Sequence, residues 1–190
     1  MSRTDVIGGL DLTSDRYTIK QSYIRSKYRV EDDAGNMVLK GKKKRFRLKE
    51  EFPFTDPDGN VVFRVKAANV FDVAGNYTLI DKASGDAFAV IEKAYTLFKH
   101  VYRIWSTEGR LLATIESESA LIMTAKGYIG FLGLLPHSYS ITGPDDSRIG
   151  TIKEKLSLRD TFVVEVGETG EAPREAILAA AIAIDALEED

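Results

Sequence analysis

The chain closes on "REAILAAAIAIDALEED", Arg174 to Asp190, and between Ala176 and Leu187 only Asp185 is polar. Pro173 just ahead suits a helix start, where its missing N–H has no partner to lose. At about 100° per residue, Ile177, Leu178, Ile182 and Ile184 cover one broad arc, with Leu187 at its edge and alanines filling the rest. A helix without a polar face is buried, either in protein or in a membrane. The stretch from Ala176 to Leu187 rises only about 18 Å, well short of a hydrocarbon core of about 30 Å. Burial in protein therefore wins. A sheet on one side would hide half of such a helix, whereas a barrel wrapped around it hides all of it, and alanines keep it slim enough for a narrow lumen. Burying its Ile and Leu side chains contributes roughly 7–15 kcal/mol as an upper bound. That is the size of a whole domain's net stability.

Asp185 falls inside the apolar arc, where a carboxylate needs partners. We expect a structural buried carboxylate near the helix end, at a barrel mouth, accepting hydrogen bonds from backbone N–H groups or an arginine. The alternative is a functional carboxylate.

The rest of the chain reads as short strands rich in Val, Ile, Tyr, Phe and Thr. They are expected at Tyr17–Ile24, Lys27–Glu31, Met37–Lys40, Lys42–Leu48, Val61–Val65, Tyr77–Asp81, Ala87–Lys93, Val101–Trp105, Leu111–Glu116, Tyr139–Thr142, Ile149–Lys155 and Thr161–Val166. In "YRVED", Tyr28 and Val30 face one side and Arg29 and Glu31 the other. The turns "DDAGN", "DPDGN", "KASGD" and "STEGR" each carry a glycine suited to a left-handed backbone. "YRVEDDAGNMVL", "YTLIDKASGDAFAVI" and "YRIWSTEGRLLATI" are one hairpin unit used three times. A fourth, "YSITGPDDSRIGTI", keeps the tyrosine but turns on Pro144, Asp145 and Asp146. Spacing near ten residues argues for a sandwich or a barrel, and closing a long meander into a barrel removes its edges. "ALIMTAKGYIGFLGLLP", Ala120 to Pro136, breaks the pattern. It is read as core packing, with a loop dipping into a bilayer surface as the alternative.

With 190 residues, one domain is expected, with a short flexible N-terminus at 1–14 and the central helix at about 174–188. A net charge of −3 disfavours nucleic acid as a partner. The absence of cysteine removes disulfides, thiolate catalysis and cysteine metal sites. The N-terminus shows no signal-peptide pattern and no window is apolar enough to span a bilayer, so the expected location is cytoplasmic.

The chemistry-bearing stretch is "KGKKKRFRLK", Lys40 to Lys49, with seven cations in ten residues. As a strand it would place Lys42, Lys44 and Phe46 on one face and Lys43, Arg45 and Arg47 on the other, with Gly41 supplying a bulge. One reading is a solvated face that blunts pairing errors. The other is an anion or lipid-headgroup site on Lys42, Lys43, Lys44, Arg45 and Arg47, each worth about 1 kcal/mol near an anionic surface.

No metal site and no cofactor are expected. His100 and His137 are far apart in sequence, and "DPDGN" fails as a calcium loop because Val61 and Ala67 stand where Gly and Glu are required. Catalysis lacks a nucleophile elbow, a P-loop and a dinucleotide fingerprint.

"YIRSKYRVEDDAGNMVLKGKKK", "YTLIDKASGDAFAVIEK" and "DTFVVEVGETGEAPREAILAAAIAIDAL" together resemble the LURP-one-related family, grouped with tubby C-terminal domains and phospholipid scramblases. The resemblance runs from about Tyr17 to Leu187. It implies a mainly β fold, a twelve-stranded closed barrel around a central hydrophobic C-terminal α-helix. Tubby domains bind phosphoinositides through basic surface residues. Scramblases carry an acidic calcium-binding segment before their last helix, but "GETGEAPREA" lacks an Asp-rich loop, so no calcium site carries over. The expected function is a non-catalytic binding module for anionic phospholipid or another polyanion, peripheral at a membrane. The alternative is a protein-interaction scaffold with no lipid ligand.

Overall fold

The computed structural model describes residues 7, 10, 12–22, 27–42, 51–67, 76–95, 100–118, 138–155 and 161–188, excluding the side chains of 42, 51, 95 and 185–188. Twelve strands follow one another: β1 Arg16–Ser22, β2 Lys27–Glu31, β3 Met37–Lys42, β4 Glu51–Thr55, β5 Val61–Ala67, β6 Asn76–Asp81, β7 Ala87–Tyr95, β8 His100–Trp105, β9 Leu111–Ser117, β10 Ser138–Thr142, β11 Arg148–Lys155 and β12 Thr161–Val166. Each pairs antiparallel with its sequence neighbours, and β1 pairs with β12, so the meander closes into a barrel. The helix α1, Arg174–Glu188, follows.

The closure fits the burial pattern. From Ala176 to Ile184 every helix residue is at most 5 % exposed. That run covers more than two turns, so all sides of α1 are enclosed. Inward strand residues such as Ile19, Val30, Leu39, Leu79, Ile104, Ile115 and Val164 join α1 in one core. Eight strands suffice only to enclose side chains, and twelve leave room for a slim helix. Leu10 and Leu12, leading into β1, are buried in the same core.

The glycine turns form as expected. Gly35 has φ 83° and Gly59 φ 95°, and Asp146 takes the same role in the fourth unit at φ 61°. The turn aspartates fix the geometry. Asp56 accepts from the Asn60 backbone N–H at 2.8 Å and from its side-chain amide at 2.9 Å. This bonding holds the Asp56 carboxyl below the usual range. "DPDGN" is thus a hairpin turn.

Two strand expectations change. β3 extends through Lys42, while 43–48 of the expected Lys42–Leu48 strand lie outside the described residues. β4, "EFPFT", is not among the expected strands; it carries Pro53, which lacks a ladder donor. Among the described residues the β3–β4 ladder pairs Lys40 with Thr55 and Gly41 with Phe54, and on the other side of β4 Pro53 lies opposite Arg64 of β5. Gly41 supplies no bulge, since it sits in register opposite Tyr28, and the irregularity lies between Val30 and Glu31. Gly41 instead makes room: a Cβ there would meet the Phe52 ring at 3.1 Å. Phe52, Phe54 and Phe63 fill that side of the lumen, the last two stacked at 4.4 Å between ring centroids. The apolar segment Ala120–Pro136 lies outside the described residues, and the strands on either side of it, β9 and β10, are direct neighbours.

Candidate anion-binding face

Alternation along β1 to β3 turns one set of residues inward and leaves the next set on the outer surface. Register then decides which outer residues meet. Lys20 lies opposite Arg29, and Arg29 lies opposite Lys40. Two residues along, Lys27 lies opposite Lys42. Beyond β4, which interposes Glu51, Pro53 and Thr55, β5 adds Arg64, opposite Pro53, and Lys66, opposite Glu51, on the same side of the barrel. Lys20, Lys27, Arg29 and Lys66 are exposed, and Lys40 and Arg64 are half-buried.

Directly opposed like charges destabilise a sheet by a few tenths of a kcal/mol or more per pair. Lys20 pairs with Glu31 at 2.5 Å, and Lys40 donates to the Pro57 carbonyl at 2.7 Å. Among the described residues, Lys27, Arg29 and Lys66 have no ion-pair partner. The result is a two-dimensional array of cations, spaced about 5 Å between strands and about 7 Å along them.

Of the expected anion-binding residues, Lys42 is the last residue of β3, with its side chain outside the described set. Lys43, Lys44, Arg45 and Arg47 lie outside the described residues altogether. Lys20, Arg29, Arg64 and Lys66 escaped the sequence reading. Their outward parity was visible in "YTIK", "KYRVE" and "VVFRVKA", but their adjacency depends on register, which no single strand reveals. Asp185 lies within α1, toward its C-terminal end, and its side chain is outside the described set.

A second polar cluster closes the mouth where the helix enters. The Arg174 guanidinium donates to the carbonyls of Ser14, Gly167 and Val166 and to Asp15 Oδ1, the last at 3.2 Å. It thereby pins α1 to the β1–β12 seam. Burial pushes the neighbouring Tyr17 hydroxyl up to about 12, opposed by the charge of Arg174. Glu175 is buried beside it, and desolvation raises its carboxyl despite the favourable helix N-terminus. These groups hold the fold together and offer no reacting pair. Among the described residues no cluster of His, Cys, Asp and Glu is arranged to hold a metal ion.

The sequence profile of the LURP-one-related proteins matches residues 37–185. The chain belongs to the LURP-one-related family. Its fold agrees with the X-ray structure of a protein from Arabidopsis thaliana, at a TM-score of 0.57 over 92 % of this chain and 93 % of that one. Identity between the two is 11 %, so the likeness concerns the fold alone. No curated protein sequence matches the chain. Membership of the LURP-one-related family is consistent with a binding module in general terms. Among the described residues no helix is long and apolar enough to cross a membrane.

Proposed function

We propose that this LURP-one-related barrel is a non-catalytic binding module whose cationic flank recognises anionic phospholipid headgroups or another polyanion. The observation that carries the reading is the row Lys20, Arg29 and Lys40 on adjacent strands, a like-charge alignment that costs stability unless an anion offsets it. The buried run Ala176–Ile184 of the helix occupies the lumen, which turns attention to the outer surface. At about 1 kcal/mol per cation, the array provides weak, salt-sensitive binding, with Lys42, Lys43, Lys44, Arg45 and Arg47 as further contributors. On this reading the protein is cytoplasmic and peripheral at a membrane.

Co-sedimentation with phosphatidylcholine–phosphatidylserine vesicles at low and high salt tests the proposal. Binding is expected at low salt, lost at high salt, and weakened at least about tenfold in Arg29→Ala/Lys40→Ala/Lys66→Ala. Equal binding by that variant, or none by the unaltered chain to vesicles or to heparin at low salt, overturns it.

One observation favours a protein partner instead. Trp105 lies on the outer face of β8 between Val90 and Leu111, held by a 2.7 Å hydrogen bond from its indole Nε1–H to Glu92. Loss of a stoichiometric partner in Trp105→Ala, with vesicle binding absent throughout, would establish that reading.

A further inference from the structure

The cationic flank does not run the full height of the barrel. The five hairpin turns, Asp32–Asn36, Asp56–Asn60, 82–86, Ser106–Arg110 and Gly143–Ser147, connect even strands to the odd strands that follow them. In an antiparallel ring such connections all emerge at one end. The segment 167–173 between β12 and α1 emerges there as well. With Asp81 at the edge of its turn, these connections carry eleven carboxylates and two cations, in a chain whose whole net charge is −3. Four of the carboxylates, Asp32, Asp33, Asp56 and Asp58, cap the very strands that bear the cations. Asp32 is three residues beyond Arg29, about 10 Å along the strand.

That separation decides how the flank can meet a charged surface. If the barrel lay flat on it, the four turn aspartates would enter the contact, each cancelling the gain of one cation. If the barrel tilts so that the turn end lifts, the four aspartates move beyond a Debye length of about 8–10 Å, while Lys27 and Lys66 stay in contact, with one acidic position, Glu51, in register beside Lys66. We infer that the protein docks on an anionic bilayer obliquely, resting on the part of the β1–β5 flank farthest from the hairpin turns, with the turn end facing water. This rests on the anion-binding reading above and adds to it a flat partner, an orientation and a free end. Trp105 completes the picture, because β8 stands five places from β3, the middle of the β1–β5 flank, in a ring of twelve and so faces away from the docked side.

The chain has no cysteine, so single labels are unambiguous. Ser22, the last residue of β1, is exposed at the docking end, and Ala34 is exposed in a turn at the other. Fluorophores on Ser22→Cys and, separately, Ala34→Cys are mixed at low salt with phosphatidylcholine–phosphatidylserine vesicles containing a nitroxide-headgroup lipid. The Ser22→Cys label should lose most of its emission, while the Ala34→Cys label and Trp105 keep theirs. In parallel, Asp33→Asn/Asp58→Asn should change vesicle affinity by less than about twofold, against about tenfold or more for a flat contact. Equal or stronger quenching at Ala34→Cys, with co-sedimentation intact, overturns the orientation and leaves anion binding standing. Binding to free inositol hexakisphosphate without binding to vesicles overturns the bilayer as partner. No binding to either overturns both readings.

Discussion

Two rows of residues one position apart on the same three strands have opposite characters. Ile19, Val30 and Leu39 meet in register on the inner side, each 0 % exposed. Lys20, Arg29 and Lys40 meet in register on the outer side. The backbone treats both rows alike, so the difference lies in what each faces. The inner row is dictated by the helix: any polar group there would be buried without water. The outer row is not required by the barrel at all, and its like charges work slightly against it. Features that the fold needs and features that the fold merely carries are thereby separated.

If the inner row exists to enclose α1, removing α1 should be fatal. Deletion of Arg174–Asp190 strips the lumen of the buried run Ala176–Ile184, a loss of roughly 7–15 kcal/mol at most, which meets or exceeds typical net stability. We expect no cooperative thermal transition by circular dichroism. A truncated chain melting cooperatively near the full-length temperature would break the comparison at its root.

A smaller test adds one carbon to the inner side. Gly150 faces the lumen on β11 opposite Val166, and a Cβ there would press into the backbone carbonyl oxygen of Glu165. Backbone cannot swing aside as a side chain does, so Gly150→Ala should lower stability by about 1–3 kcal/mol in urea titration. A change within 0.5 kcal/mol, the range of an ordinary surface substitution, would show the β11–β12 pair to be more plastic than its packing suggests.

What the sequence disclosed follows the same division. The helix was legible because a run lacking any polar face has few places to go, and the hairpins because a left-handed turn demands glycine at Gly35 and Gly59 or a substitute such as Asp146. β4 was not read from the sequence, and Pro53 within it removes one ladder donor. The cationic face was half legible. The run from Lys40 stood out by density alone, but Lys20, Arg29 and Lys66 are scattered along the chain and are gathered only by register. Arg174 was equally opaque, because its acceptors Ser14 and Asp15 lie more than 150 residues away.

The enclosed side also holds a carboxyl in the wrong medium. Burial raises Glu175, so its protonated form is favoured in the folded state. A group raised in the folded state contributes its stability below the unfolded carboxylate range and loses it as pH climbs through the folded value. At neutral pH the buried charge is therefore a cost. Glu175→Gln should raise the melting temperature by about 2–4 °C at pH 7, with the gain vanishing near pH 4. A variant destabilised at pH 7 would mean that Arg174 outweighs desolvation.

The outer row should behave in the reverse sense, and its stability effect should be the smallest. Arg29→Ala/Lys40→Ala removes two of three aligned cations and also the Lys40 bond to Pro57. Relief of repulsion and loss of one exposed hydrogen bond act in opposite directions, each by a few tenths of a kcal/mol. Net stability should therefore stay within about 0.5 kcal/mol of the parent in urea titration. If the pair proved strongly destabilising, the cations would be part of the fold's own construction. The row would then belong with Ile19, Val30 and Leu39 as something the barrel needs, and no external anion would be required to account for it.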